Sequence, residues 1–112
     1  MKIAIPTNDG LSINHNILAS NGFLVVEIES GRVLGSEMRL YSPKPEGDHE
    51  QEILSLIGDC ETFLSVVMEK PLSRQLTRND MQIMLTSESM IPIAVKEYIE
   101  QSLRPDHCCC CS

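Results

Sequence analysis

The hydrophobic pattern changes period near residue 48, and this restricts the fold more than any other feature. Before that point apolar residues come in strand-length runs; after it, runs of the same length alternate with stretches of helical spacing. Residues 2–6 (KIAIP) form a short apolar run ended by Pro6, followed by the turn cluster Thr7-Asn8-Asp9-Gly10. The Asn- and Ser-rich stretch 11–21, pinned by Ile13, Ile17 and Leu18, is expected to be an ordered loop. Residues 22–29 are strongly strand-like. Glu29-Ser30-Gly31-Arg32 then predicts a tight hairpin returning through residues 33–41. Two prolines keep residues 42–47 irregular.

In the second half, a helix opening at Asp48 or His49 carries Ile53, Leu54, Leu56 and Ile57 and closes at Gly58. A strand is predicted over 61–67, a short helix over 71–78, a strand over 81–85 and a helix over 91–103 that tolerates Pro92 in its first turn. The order is β-β-β-α-β-α-β-α. The leading hairpin requires antiparallel pairing, whereas the strand–helix alternation requires parallel pairing through right-handed crossovers. The predicted fold is therefore α/β: one ribonuclease-H-like domain over residues 1–104, with helices packed on a mixed five-stranded sheet. Residues 105–112 are expected to form a flexible Cys-rich tail.

A chain of 112 residues supports one core, and with no Trp its volume must come from Ile, Leu, Val and six Met. The net charge of −7 would repel a phosphate backbone, which excludes nucleic acid as a partner class. No apolar run approaches the ~20 residues that span a bilayer, and the first residues lack the apolar core of a secretory signal. A cytoplasmic protein with reduced thiols is expected.

The densest donor cluster is His107-Cys108-Cys109-Cys110-Cys111, and the one cysteine outside it is Cys60. Thiolates bind soft metals and iron–sulfur species, and terminal residues are readily reached. Adjacent cysteines make a poor tetradentate cage, because ligand sets usually draw on separated pairs. Partial use is the better expectation: Cys108 and Cys111 at i, i+3, completed by His107, Cys60 or another chain. The alternative is a thiol-rich end that takes up soft metal without specificity. Two-metal nuclease chemistry needs carboxylates beginning on the first strand, and residues 2–6 contain none.

The opening Met-Lys-Ile-Ala-Ile-Pro-Thr-Asn-Asp-Gly, then Ser12-Ile13-Asn14-His15, and Asp59-Cys60 before the fourth strand together resemble the dinitrogenase iron–molybdenum cofactor biosynthesis family over about residues 1–103. The resemblance implies a non-catalytic domain that binds or carries iron–sulfur or iron–molybdenum species and exchanges them with donor or acceptor proteins. It also implies cofactor contact by the early-loop histidine, which is His15 here. Cys60 belongs to the shared Asp-Cys pair and is a second candidate. Two positions depart from the family pattern. Asn16 and Ile17 replace an aromatic residue and a glycine, and Val67-Met68-Glu69-Lys70-Pro71 replaces a glycine-rich turn whose amides could approach an anion. Against these ligand roles stand plain ones: His15 as a surface histidine, Cys60 as a small buried hydrophobe. At the level of function, the alternative is an interaction or regulatory module whose tail buffers thiols or soft metal.

Overall fold

A computed structural model describes residues 1–17, 20–42 and 49–102. It contains β1 (Lys2–Thr7), β2 (Gly22–Glu29), β3 (Arg32–Leu40), α1 (His49–Ile57), β4 (Thr62–Ser65), α2 (Lys70–Arg78), β5 (Gln82–Leu85) and α3 (Ile91–Ser102). The five strands form one mixed sheet in the order β3-β2-β1-β4-β5. The predicted architecture is observed, element for element.

The central strand is the most apolar one, because both of its faces are covered. Ile3, Ala4 and Ile5 are fully buried. β1 pairs antiparallel with β2, from Lys2 opposite Glu27 to Thr7 opposite Gly22, and parallel with β4 through Ile3–Thr62 and Ala4–Phe63. Alternation along the strands then sorts side chains into two cores. On one face Ala4, Phe23, Val25 and Phe63 meet Ile53, Ile57, Leu72 and Leu76 of α1 and α2. On the other, Ile3, Ile5, Val26, Ile28 and Leu64 meet Ile91, Ala94, Val95 and Tyr98 of α3. Each fully buried aliphatic or aromatic side chain contributes roughly 1.5–3 kcal/mol. The Tyr98 hydroxyl, drawn into this apolar layer, is satisfied by Thr62 Oγ1 at 3.2 Å.

The β2–β3 turn has positive φ at both Ser30 (54°) and Gly31 (77°), as a type I′ hairpin requires. Lys70 starts α2 with a proline in its first turn, and Glu69 precedes it with no side-chain cap bond. β4 is shorter than its apolar run predicts. Its pairing with β5 ends at Ser65–Leu85, and the Val67 amide turns back onto Ser65 Oγ at 3.4 Å. A short apolar run thus overestimates a strand when its partner strand ends first.

Candidate functional site

β1, β4 and β5 run parallel, so Thr7, Ser65 and Leu85 lie at the same end of the sheet. The chain leaves β1 towards β2 on one side and leaves β4 through α2 towards β5 on the other. In open α/β sheets, a crevice outside the carboxyl ends at such a divergence is the usual place for a ligand. The loop after β1 and the connection 66–69 after β4 border it here.

The loop is built on two residues. Thr7 is fully buried, and its hydroxyl donates to the Ser12 carbonyl at 2.6 Å and accepts from the Gly10 amide at 2.9 Å. Gly10 takes a φ of +79°, which a side chain would strain. The Asp9 carboxylate accepts the Leu11 and Ser12 amides at 2.9 and 3.0 Å, and these bonds lower its pKa. Beyond this turn the Asn14 amide bonds the Pro6 carbonyl at 2.9 Å, the Ile13 amide bonds the Ser89 carbonyl at 2.7 Å, and the Ile91 amide bonds the Leu11 carbonyl at 2.9 Å. The loop is thereby tied both to β1 and to the entry of α3.

His15 sits at the crest. Ile13 (3% exposed) enters the α3-side core and Ile17 (1%) the opposite one, so the Ile-Asn-His-Asn-Ile segment straddles the end of the sheet. The Asn14 side-chain amide ties the segment together, donating to the Asn16 carbonyl at 2.9 Å and to Ser20 Oγ at 3.1 Å. Between the two pins His15 is exposed. This is a held backbone presenting an imidazole to solvent, beside the β1/β4 crevice. Pattern reading found the isoleucine pins but missed the scaffold. Its signal was present as Thr7-x-Asp9-x-x-Ser12, in which Thr7 and Asp9 bond the backbone of the residues that follow them and the Ser12 hydroxyl bonds Asp9.

Cys60 lies at the other end of the sheet. The Glu61 amide bonds the Lys2 carbonyl at 2.9 Å, which places Cys60 beside the start of β1, whereas the His15 loop follows its finish. Roughly 16 Å of strand separates the two ends, so the structure does not bring His15 and Cys60 together. Cys60 is 6% exposed within the α1/α2 core, and burial pushes its thiol up to about 11, Asp59 adding to the effect. A thiolate ligand would have to ionise against both influences.

The same end carries the densest charge network. Arg39 donates to both Asp59 oxygens at 2.6 and 3.0 Å, to Glu37 at 2.6 Å and to the Leu56 carbonyl at 2.7 Å, while Lys2 reaches Asp59 at 3.1 Å. The Arg39 guanidinium holds the Asp59 carboxyl well below the usual carboxylate range, and Lys2 reinforces it. Sequence reasoning missed this network, because four charged residues from three separate segments meet only through the topology. It ties the edge strand to the β4 entry and leaves the carboxylate fully engaged.

His107, Cys108, Cys109, Cys110 and Cys111 lie outside the described residues. Among the described residues no group of three or more His, Cys, Asp or Glu side chains could hold a metal ion. A cavity of about 550 Å³ lies between α3 and the β2–β3 hairpin, lined mainly by the apolar Leu24, Val26, Val33, Ile91, Val95 and Ile99, with Lys96 and Glu100 also on its wall; no residue of the histidine loop lines it. Among the described residues no helix is long and apolar enough to cross a membrane.

Comparison with known proteins gives the family and the fold. The family model described as dinitrogenase iron-molybdenum cofactor matches residues 1–101. The chain belongs to the dinitrogenase iron-molybdenum cofactor family. No curated protein matches it. Among solved structures, PH0822 is similar with a TM-score of 0.77 at 19% identity, over 90% of each chain. MJ0327 of Methanocaldococcus jannaschii, described as a dinitrogenase candidate, gives 0.74 at 15% over 90% of this chain and 89% of its own. A NifB candidate from Thermotoga, TM1290, gives 0.67 at 15% over 88% and 87%. At these identities the structures establish the shared fold of the dinitrogenase iron-molybdenum cofactor family and nothing finer.

Proposed function

We propose that this chain is a non-catalytic binding or carrier protein whose cargo is an iron–sulfur or iron–molybdenum species, with His15 as the domain's contact. The observation that carries the reading is the presentation of His15: exposed, yet on a backbone fixed by Thr7, Asp9 and two buried isoleucines at the carboxyl end of the parallel strands. Membership of the family supplies the class of cargo.

A single imidazole fits such a cargo as one ligand, and the described residues offer no complete shell. The remaining ligands would come from His107 and Cys108–Cys111, or from the protein that gives or receives the cluster. Incomplete ligation suits a carrier, because a cluster held by few donors leaves by thiol substitution. The tail attaches at the far end of α3 from His15, since α3 begins beside Leu11 and its Tyr98 reaches Thr62 and Met1. Six residues past Ser102, Cys108 reaches at most ~21 Å, and Cys111 at most ~32 Å. α3 itself spans about 18 Å. The last cysteines therefore have the longer reach back towards His15.

Anaerobic reconstitution with iron and sulfide tests the proposal. Wild-type protein is expected to load a chromophoric cluster in fixed stoichiometry, and His15→Ala to lose most of it. Replacing Cys108–Cys111 by Ser should lower retention further. Equal loading of wild type and His15→Ala would remove the loop from the site. The absence of a complete donor group within the described domain favours one second reading, an interaction module with a thiol-rich tail. That reading requires metal uptake without fixed stoichiometry, indifferent to His15→Ala and abolished by the tail substitution.

A further inference from the structure

Among the described residues little covers β3, an edge strand of nine residues: Val33, Leu34, Met38 and Leu40 are 52%, 58%, 37% and 73% exposed. The other edge, β5, has four residues. Long open edges with apolar side chains are templates for pairing, and proteins ordinarily blunt them with lysine, proline, brevity, inward-pointing charges or bulges. β3 is long and has neither lysine nor proline; its protection is a bulge near its start and the charges Glu37 and Arg39 on one face. Ile28 faces Val33 and Glu27 faces Gly35, which leaves Leu34 as an extra residue. The regular edge is therefore 35–40.

Within that stretch the side chains sort cleanly. Met38 lies across from Leu24 and Ser36 across from Val26, on the α3 face; Leu40 shares their parity. Glu37 lies across from Val25 on the opposite face, and Arg39 shares its parity. We infer that β3 pairs antiparallel with β3 of a second copy of this chain, about a two-fold axis through Met38. In this register Glu37 lies opposite the partner subunit's Arg39 and Arg39 opposite the partner subunit's Glu37. Met38 lies opposite its own copy, and Ser36 lies opposite the partner subunit's Leu40.

The charges select this register over its neighbours. Centring one residue earlier sets the two Glu37 side chains against each other, and one residue later does the same with Arg39; like charges directly opposite destabilise a strand pair. Centring on Ser36 draws the bulged Leu34 into the ladder. The selected arrangement joins two five-stranded sheets into one of ten. It also carries the partner subunit's Leu40 to Ser36, which borders the apolar cavity beside α3.

The test uses full-length chain with Cys108–Cys111 replaced by Ser, so that tail disulfides cannot mimic assembly. Sedimentation velocity from micromolar to near-millimolar concentration should show the mass rising to twice that of the chain. Met38→Lys should stay monomeric throughout with unchanged far-UV circular dichroism. Glu37→Arg, which sets arginine against arginine, should weaken dimerisation at least tenfold. Oxidised Met38→Cys should form a covalent dimer and Leu34→Cys should not. Three results overturn the proposal. A single-chain mass at every concentration leaves the edge to another protein or to none. A dimer indifferent to Met38→Lys places the contact elsewhere. Cross-linking through Leu34→Cys but not Met38→Cys refutes the register.

Discussion

The two ends of β1 hold the described domain's two candidate ligands, and they treat them in opposite ways. At the finish of the strand, polar side chains are spent on backbone: Thr7 and Asp9 hold a loop whose isoleucines reach into both cores, and His15 is left to solvent. At the start, polar side chains are spent on one another: Arg39, Asp59, Glu37 and Lys2 form an interlocked set of ion pairs, and Cys60 turns into the core beside it. One end presents a donor and the other conceals one. A residue's ability to ligate is thus set by what its neighbours do with their hydrogen bonds, more than by its own chemistry.

The comparison breaks most visibly at the pins. Ile17→Ala empties a site that is 1% exposed, and the expected loss is about 2–4 kcal/mol by urea denaturation. Because Ile17 also anchors the crest, this variant should lose ordered amide signals from residues 13–16; a variant that keeps them would show that the hydrogen bonds alone hold the loop. The closed end is next. Arg39→Ala leaves Asp59 with Lys2 alone and the Leu56 carbonyl without its arginine, and since Asp59 is about half exposed the expected cost is only about 1 kcal/mol.

The same end gives a pH signature. Asp59 has its carboxyl held below its ordinary value of 3.8, so the folded state binds fewer protons than the unfolded one in the interval between. Its stabilisation is fully present above the ordinary value and is lost as pH falls through the depressed one. Asp59→Asn should therefore be less stable than wild type near neutrality, and the gap should close in acid. A gap that widens in acid would contradict the pairing. Native Cys60, with its thiol pushed up to about 11, should react slowly with a thiol reagent at neutral pH when the tail cysteines are serine, and quickly once unfolded. The smallest stability effect belongs to the open end: His15→Ala should fall within about 0.5 kcal/mol of wild type, as substitutions of exposed side chains usually do.

Much of the fold was legible because its signals are local. The period change, the Ser30-Gly31 turn, Pro71 at the start of α2 and the spacing of Ile91, Val95 and Tyr98 each act within a few residues. What stayed hidden depends on topology. β4 stops at Ser65 because β5 stops beside it, and Arg39 finds Asp59 across a crossover of twenty residues. The site divides along the same line. His15 could be singled out from its loop and its family pattern, but its separation from Cys60 follows only from which ends of β1 the two segments join. The tail's part in the site lies outside the described residues.

The central claim is that His15 is the domain's ligand to its cargo, and nitrogen hyperfine spectroscopy tests it most directly. Protein labelled with ¹⁵N-histidine is loaded with iron and sulfide, reduced and examined by pulsed electron paramagnetic resonance. A directly coordinated histidine nitrogen is expected in wild type and in His107→Ala, and its loss in His15→Ala. Coupling that survives His15→Ala, or that disappears with His107→Ala alone, would contradict the claim.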